Sequence, residues 1–297
     1  MKAKKKPLVV ALGNFDGVHL GHQTILKAMI QYAQKKRWGT AVYTFEPHPA
    51  KILAPGSAPL LIQTLDQKIT ALKKLGIQRV VVEKFNISFS HMPPEKFFEK
   101  IVIKKLRARG IWIGYDFTFG FKRKGTTETL KNLCTKYNLL INITKPQFKK
   151  DNLVSSTQIR RLITGGNIQL ANELLGKPFA LIGRVVKGHG IGTKMGIHTA
   201  NLKVENELLP KVGIYITKTR VGTKTWPSAT SVGFNPTFPG KGFSVETHLI
   251  GFDGNLRGKK IEVEFLKWLR EELTFPNIET LAVQIKKDIH EALRYHR

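Results

Sequence analysis

The chain has 297 residues, 41% hydrophobic and 9% aromatic, enough for one large or two ordinary packed cores. Its 49 lysines and arginines against 21 acidic residues give a formal net charge of +28, and the single cysteine, Cys134, excludes an internal disulfide and a multi-cysteine metal site. No apolar run reaches the ~20 residues that span a bilayer, and the basic start Met1–Pro7 leads into a short strand rather than a signal peptide, so a cytoplasmic protein with no membrane partner is expected.

The first half alternates strand and helix patterns. Strands are expected at Leu8–Leu12, Thr40–Phe45, Arg79–Phe85, Gly110–Gly114 and Leu139–Ile143. Helices are expected at Gln23–Lys36, Leu65–Leu75, Pro94–Leu106 and Thr127–Tyr137, with apolar stripes such as Ile69, Leu72, Leu75 and Phe97, Phe98, Ile101, Val102. Such alternation implies a parallel sheet covered by helices, with ligands at the carboxyl ends of the strands. Between the first strand and helix runs Gly13-Asn14-Phe15-Asp16-Gly17-Val18-His19-Leu20-Gly21-His22. A glycine turn lets backbone N–H groups approach an anion, and the helix start adds about half a positive charge. His19 and His22 lie three apart, on one face of the first turn, and suit phosphate. A His-x-x-His pair is also half of a metal site, but zinc needs a third ligand, and His48 is the nearest candidate.

Two short helices follow, Thr157–Ile163 and Ile168–Leu175, and then Lys177-Pro178 breaks the chain. Beyond it the pattern becomes β-rich, at Phe179–Val186, Gly213–Val221, Thr223–Val232, Phe243–Ile250 and Lys260–Leu266, with Gly, Pro and Asn turns between. A closing helix carries Leu281, Ile285, Ile289 and Leu293. An antiparallel sandwich or barrel and a boundary near residue 178 are expected. Residues 1–178 hold 31 basic against 10 acidic side chains, and residues 179–297 hold 18 against 11. That field attracts anions of any class, but no zinc finger, basic zipper or RNA-recognition signature accompanies it, so nucleic acid is not the expected partner.

The Gly13–His22 turn resembles the Gly-x-Phe-Asp-Gly-x-His-x-Gly-His signature of nucleotidyltransferases. Thr44–Pro49, Gly114–Gly120 (Gly-Tyr-Asp-Phe-Thr-Phe-Gly) and Val154–Arg160 (Val-Ser-Ser-Thr-Gln-Ile-Arg) resemble three further stretches of the bacterial FMN adenylyltransferase domain. The second half is similar to riboflavin kinase. Gly188–Gly192 and Gly196–Asn201 resemble its glycine flap and Pro-Thr-Ala-Asn, and Ser231–Phe238 resembles Asn-Val-Gly-x-x-Pro-Thr-Phe. Glu246–Leu249 resembles Glu-x-His-Leu, and Leu269–Phe275 resembles Leu-Arg-x-Glu-x-Lys-Phe. The order is that of the bifunctional riboflavin kinase/FMN adenylyltransferase (prokaryotic FAD synthetase) family.

The resemblance implies a Rossmann-like nucleotidyltransferase domain over 1–178, then an antiparallel β-barrel kinase domain over 179–297 with a C-terminal helix. It implies that riboflavin is phosphorylated to FMN and FMN adenylylated to FAD, with ATP as co-substrate and Mg²⁺ as cofactor. For adenylylation it implies His19, His22 and Arg160 as catalytic residues, with Gly13, Asn14, Phe15, Gly17, Gly21, Ser156 and Thr157 on ATP and phosphate. Asp116 and Phe117 would meet flavin. For the kinase it implies Glu246 as base, Gly188, Gly190 and Gly192 in an ATP flap, Thr199 and Asn201 on the metal and Arg270 on flavin. Without the resemblance, Glu246 is a strand-face glutamate, and Arg270 is a partner for Glu271 or Glu272. Two departures stand out. His198 replaces a proline before Thr199, losing a restraint of about 0.4–1 kcal/mol. Ile191 and Thr193 replace flap arginines. A weakened kinase is therefore expected, which His198→Pro would test. A chain that only adenylylates FMN, and more remotely a basic nucleic-acid-binding protein on this scaffold, are the alternatives.

Overall fold

A computed structural model describes residues 6–188, 198–234 and 242–296. The chain forms two compact units, Met1–Leu60 with Leu65–Ser155, and Leu61–Thr64 with Ser156–Arg297.

The first unit is a five-stranded parallel sheet in the order β3-β2-β1-β4-β5, built from β1 (Leu8–Leu12), β2 (Gly39–Glu46), β3 (Arg79–Lys84), β4 (Ala108–Gly114) and β5 (Leu140–Thr144). β1 is apolar on both faces because both faces are covered. Val9 and Ala11 pack with Leu26 and Met29 of α1 (Leu20–Lys36) and Leu72 of α3 (Leu65–Lys74). Val10 and Leu12 pack on the other side with Phe98, Val102 and Leu130 of α6 (Thr127–Lys136). Two short helices, α2 (Pro49–Leu53) and α4 (Ile87–Ser90), have no apolar period long enough to be expected.

The helix expected over 94–106 divides. α5 (Pro94–Phe97) continues as a π-helix over Phe98–Lys105. The widened turn matches the burial: after Ile101 and Val102 the next covered position is Leu106, whose N–H donates to the Ile101 carbonyl at 2.8 Å. α1 begins three residues earlier than expected, because His19 is its N-cap. Gly13–His19 and Gly114–Gly120 follow the neighbouring central strands β1 and β4. The strand order reverses there, which is the switch point where parallel α/β sheets open a crevice.

The second unit is a closed barrel in the order β10-β11-β12-β9-β8-β13. Its strands are β8 (Phe179–Val186), β9 (Ala200–Val204), β10 (Gly213–Val221), β11 (Lys224–Gly233), β12 (Ser244–Leu249) and β13 (Lys260–Arg270). β9 was not expected as a strand, yet it closes the barrel between β12 and β8. The interior is partly polar: Thr217, Thr219, Ser228, Thr230 and Thr247 are fully buried and bond to one another at 2.7–3.3 Å. The short hairpin β6 (Phe148–Lys149) and β7 (Asn152–Leu153) completes the first unit.

α7 (Ser156–Thr164) and α8 (Ile168–Leu175) group with the barrel. The reason is the Asn172 side chain of α8, which donates to the Phe265 carbonyl at 2.8 Å and accepts from the Phe179 N–H at 2.7 Å. α9 (Ile278–His296) closes the chain with Leu281, Ile285, Ile289 and Leu293 half-buried, while its most covered positions are Asp288 and Ala292. No helix among the described residues is long and apolar enough to cross a membrane.

Candidate active sites

The turn after β1 is held in an uncommon backbone. Phe15, Gly17 and Val18 have φ of 51°, 84° and 46°, and a left-handed valine is a genuine outlier. Gly17 meets this requirement without a Cβ, while Gly13 and Gly21 are set by space. A Cβ on Gly13 would come 3.2 Å from the Phe15 ring, and one on Gly21 would come 3.2 Å from the His19 ring. Phe15 is buried and packs edge-on against His22 at 5.1 Å, so its side chain supports the histidine and only its main chain is left to face a nucleotide.

His19 Nδ1 accepts the His22 N–H at 3.4 Å, and the two rings stack at 3.6 Å. The expected pair on one helix face is therefore present, one histidine capping the helix and the other in its first turn. His22 is held well below the usual histidine range by burial, then by the charges of His19 and Lys68, so its ring is neutral at neutral pH. Its Nδ1 is buried with no hydrogen-bond partner among the described residues. An orphaned imidazole nitrogen in an anion-shaped turn fits a phosphate ligand.

The Asn14 carbonyl is a junction. It accepts from Thr44 Oγ1 at 3.1 Å and from the Lys68 ammonium at 3.3 Å. Lys68 is a residue that the sequence reading missed. The available signal was its place on the α3 stripe, four residues before Leu72. On the β4 side Asp116 is exposed and its Oδ1 leans over Gly114, where a Cβ would lie 3.1 Å away. Phe117 stacks on Phe119 at 5.8 Å. Among the described residues no group of three His, Cys, Asp or Glu side chains could hold a metal ion, so His48 brings no third ligand to the two histidines. Ser156, Thr157 and Arg160 open α7 in the second unit, whose packed face is Ile159, Leu162 and Ile163.

In the barrel, Asn201 of β9 and Glu246 of β12 are register partners. Their side chains point away from the barrel interior, because Ala200, Leu202, Val245 and Thr247 on alternate positions are the buried ones. Thr199 Oγ1 donates to Glu246 Oε2 at 3.4 Å, and Ser244 Oγ donates to Oε1 at 3.3 Å. A Cβ on Gly188 would lie 2.1 Å from the Asn201 amide nitrogen, so this glycine is set by close approach to Asn201. A carboxylate, a hydroxyl and a carboxamide gathered on one face are hard oxygen donors, which suit Mg²⁺ with water and nucleotide oxygens completing its shell.

His198 lies just ahead of Thr199, and its carbonyl accepts from His248 Nδ1 at 2.8 Å. This restraint on the segment was not anticipated. Arg270 does not reach Glu271 or Glu272 with its charge. Its guanidinium makes two bonds to the Asp288 carboxylate, at 3.0 and 2.6 Å, and one to the Glu271 carbonyl. The fork is thereby engaged with α9. Gly190, Gly192, Ile191 and Thr193, and the stretch 235–238, lie outside the described residues.

The family model for FAD synthetase matches residues 1–158, and that for riboflavin kinase matches residues 175–296. Bifunctional riboflavin kinase/FMN adenylyltransferases align over nearly the whole chain. The Buchnera aphidicola (subsp. Schizaphis graminum) protein is 37% identical over 96% of this chain and 93% of its own. The Bacillus subtilis protein is 35% identical over 99% and 94%, and the Haemophilus influenzae protein 34% over 95% and 92%. A crystal structure described as a macrolide-efflux protein from Streptococcus pneumoniae superposes with a TM-score of 0.85 at 30% identity, covering 96% of this chain and 93% of that one.

Proposed function

The chain belongs to the family of bifunctional riboflavin kinase/FMN adenylyltransferases, and we propose that its two sites divide the two reactions between them. It phosphorylates riboflavin to FMN and adenylylates FMN to FAD. One observation supports the division above others. The orphaned His22 nitrogen in a strained glycine turn and the Glu246, Thr199 and Asn201 cluster on the barrel belong to different units of one chain.

In adenylyl transfer an FMN phosphate oxygen attacks the α-phosphorus of ATP and pyrophosphate leaves. The nucleophile is already an anion, so no base is required. The site must hold two polyanions in line and stabilise the leaving charge. The turn amides of Gly13, Asn14, Gly17 and Gly21, with His19 and His22, serve this end. Ser156, Thr157 and Arg160 are assigned to the triphosphate by their motif, and Asp116 and Phe117 to the flavin.

In the kinase reaction a neutral ribityl hydroxyl attacks the γ-phosphorus of ATP and ADP leaves. Glu246 takes the hydroxyl proton, its carboxylate being oriented by Thr199 and Ser244. Thr199 Oγ1 and the Asn201 side-chain oxygen would hold Mg²⁺, which when bound neutralises charge on the ATP phosphates. The chain works as a cytoplasmic enzyme on small molecules. The basic excess is read as surface charge. The test is to incubate the protein with riboflavin, ATP and Mg²⁺ and separate the flavins by chromatography. FMN and FAD together are expected. FAD formed only from supplied FMN would support the narrower adenylyltransferase, and neither product from folded protein would overturn the reading.

A further inference from the structure

Lys68 lies outside both nucleotide motifs, yet it is one of the most buried charged residues of the chain, 7% exposed on α3. Its ammonium reaches the Asn14 carbonyl at 3.3 Å and Thr44 Oγ1 at 3.4 Å, and Thr44 Oγ1 donates to the same carbonyl. One side chain thus ties α3 to the turn after β1 and to the end of β2. A buried lysine is rarely retained without partners that offset its desolvation. Two carboxylates here do so. Burial lowers Lys68 from the ordinary lysine range, and the charges of Glu46 and Asp16 oppose that. Both acids stand at a turn built for an anion: Asp16 lies within it, and Glu46 ends the neighbouring strand. Uncompensated, they would repel the polyphosphate the turn receives. The Lys68 charge is also felt at His22.

We propose that Lys68 is a positioning residue for adenylyl transfer. It fixes the Asn14 carbonyl so that the Gly13–His22 turn keeps its anion-binding shape, and it cancels Asp16 and Glu46 so that the ATP triphosphate can enter. This rests on the assignment of FAD formation to the first unit, and it adds to it a residue outside every motif.

The test uses the full chain and reads both reactions, riboflavin phosphorylation serving as a control within the same molecule. Lys68→Met keeps the length and removes the charge. It is expected to lower kcat/KM for ATP in FAD formation at least tenfold, mainly through KM, with riboflavin phosphorylation within twofold of wild type. Adding Glu46→Gln to Lys68→Met should recover at least threefold, because it removes one of the two charges left bare. Wild-type FAD formation in Lys68→Met overturns the proposal. So does a loss that Glu46→Gln does not relieve, which marks a lysine needed only for packing. If Lys68→Met fails to fold, Lys68→Gln, which keeps a donor for Asn14, carries the same expectation. Failure of both to fold also overturns the proposal. A wild-type chain that makes no FAD overturns the adenylylation reading, whereas an active Lys68→Met overturns only this inference.

Discussion

Burial decides the chemistry of His22. Its proton affinity in the folded chain lies well below 6.5, so between that value and 6.5 the unfolded chain binds a proton that the folded one refuses. The stabilisation is present above pH 6.5 and is lost as the pH falls toward the folded value, at most about 1.4 kcal/mol per pH unit. Urea unfolding of wild type and His22→Asn at pH 7 and pH 5.5 should therefore show wild type losing more stability on acidification. Equal losses would contradict a neutral His22. A second expectation concerns His198. The bond from His248 to the His198 carbonyl is worth about 0.5–1.5 kcal/mol, similar to the restraint a proline would add. His198→Pro should therefore change riboflavin phosphorylation less than twofold in wild type and raise it several-fold in His248→Ala. A several-fold gain in the wild-type background would restore the simpler view of a kinase weakened by His198. The two histidines were noticed because their spacing is local, whereas Glu246 and Asn201, distant in sequence, were named only through the resemblance. Lys68 and His248 were not legible, because each acts on a carbonyl from an element distant in sequence.

Among elements, those with a clear apolar run or period were readable and the others were not. A continuous apolar run made β1 plain, whereas β9, of the same length but without such a run, became a strand only through partners at 183–186 and at 246 and 247. The widened turn at 98–105 also depends on tertiary packing. α9 shows the opposite case. Its apolar stripe was evident, but the position that fixes it is Asp288, whose side chain is 6% exposed and paired with Arg270 of β13. Removing one member of such a pair leaves a bare charge in a covered place and costs about 3–5 kcal/mol. Asp288→Ala should lose that much in thermal or urea unfolding, and Arg270→Met with Asp288→Leu should recover most of it. A loss below about 1 kcal/mol for Asp288→Ala would release Arg270 from this structural role.

For the whole molecule, the charge asymmetry has a partial structural account. Lys35 and Lys36 in the last turn of α1, Lys73 and Lys74 in α3, Lys104 and Lys105 in the π-helix and Lys136 in α6 all stand at helix C-termini. In a parallel βα unit these ends share the sheet edge away from the phosphate turn, where cations complement the helix dipoles. The two reactions remain separable by side chain, because His22 and Glu246 belong to different units. The most direct measurement follows flavin products from riboflavin, ATP and Mg²⁺ in His22→Ala and Glu246→Ala, with and without supplied FMN. His22→Ala should accumulate FMN and form no FAD, and Glu246→Ala should turn supplied FMN into FAD while leaving riboflavin unphosphorylated. Equal loss of both activities in either variant would contradict the division of the two reactions between the turn and the barrel.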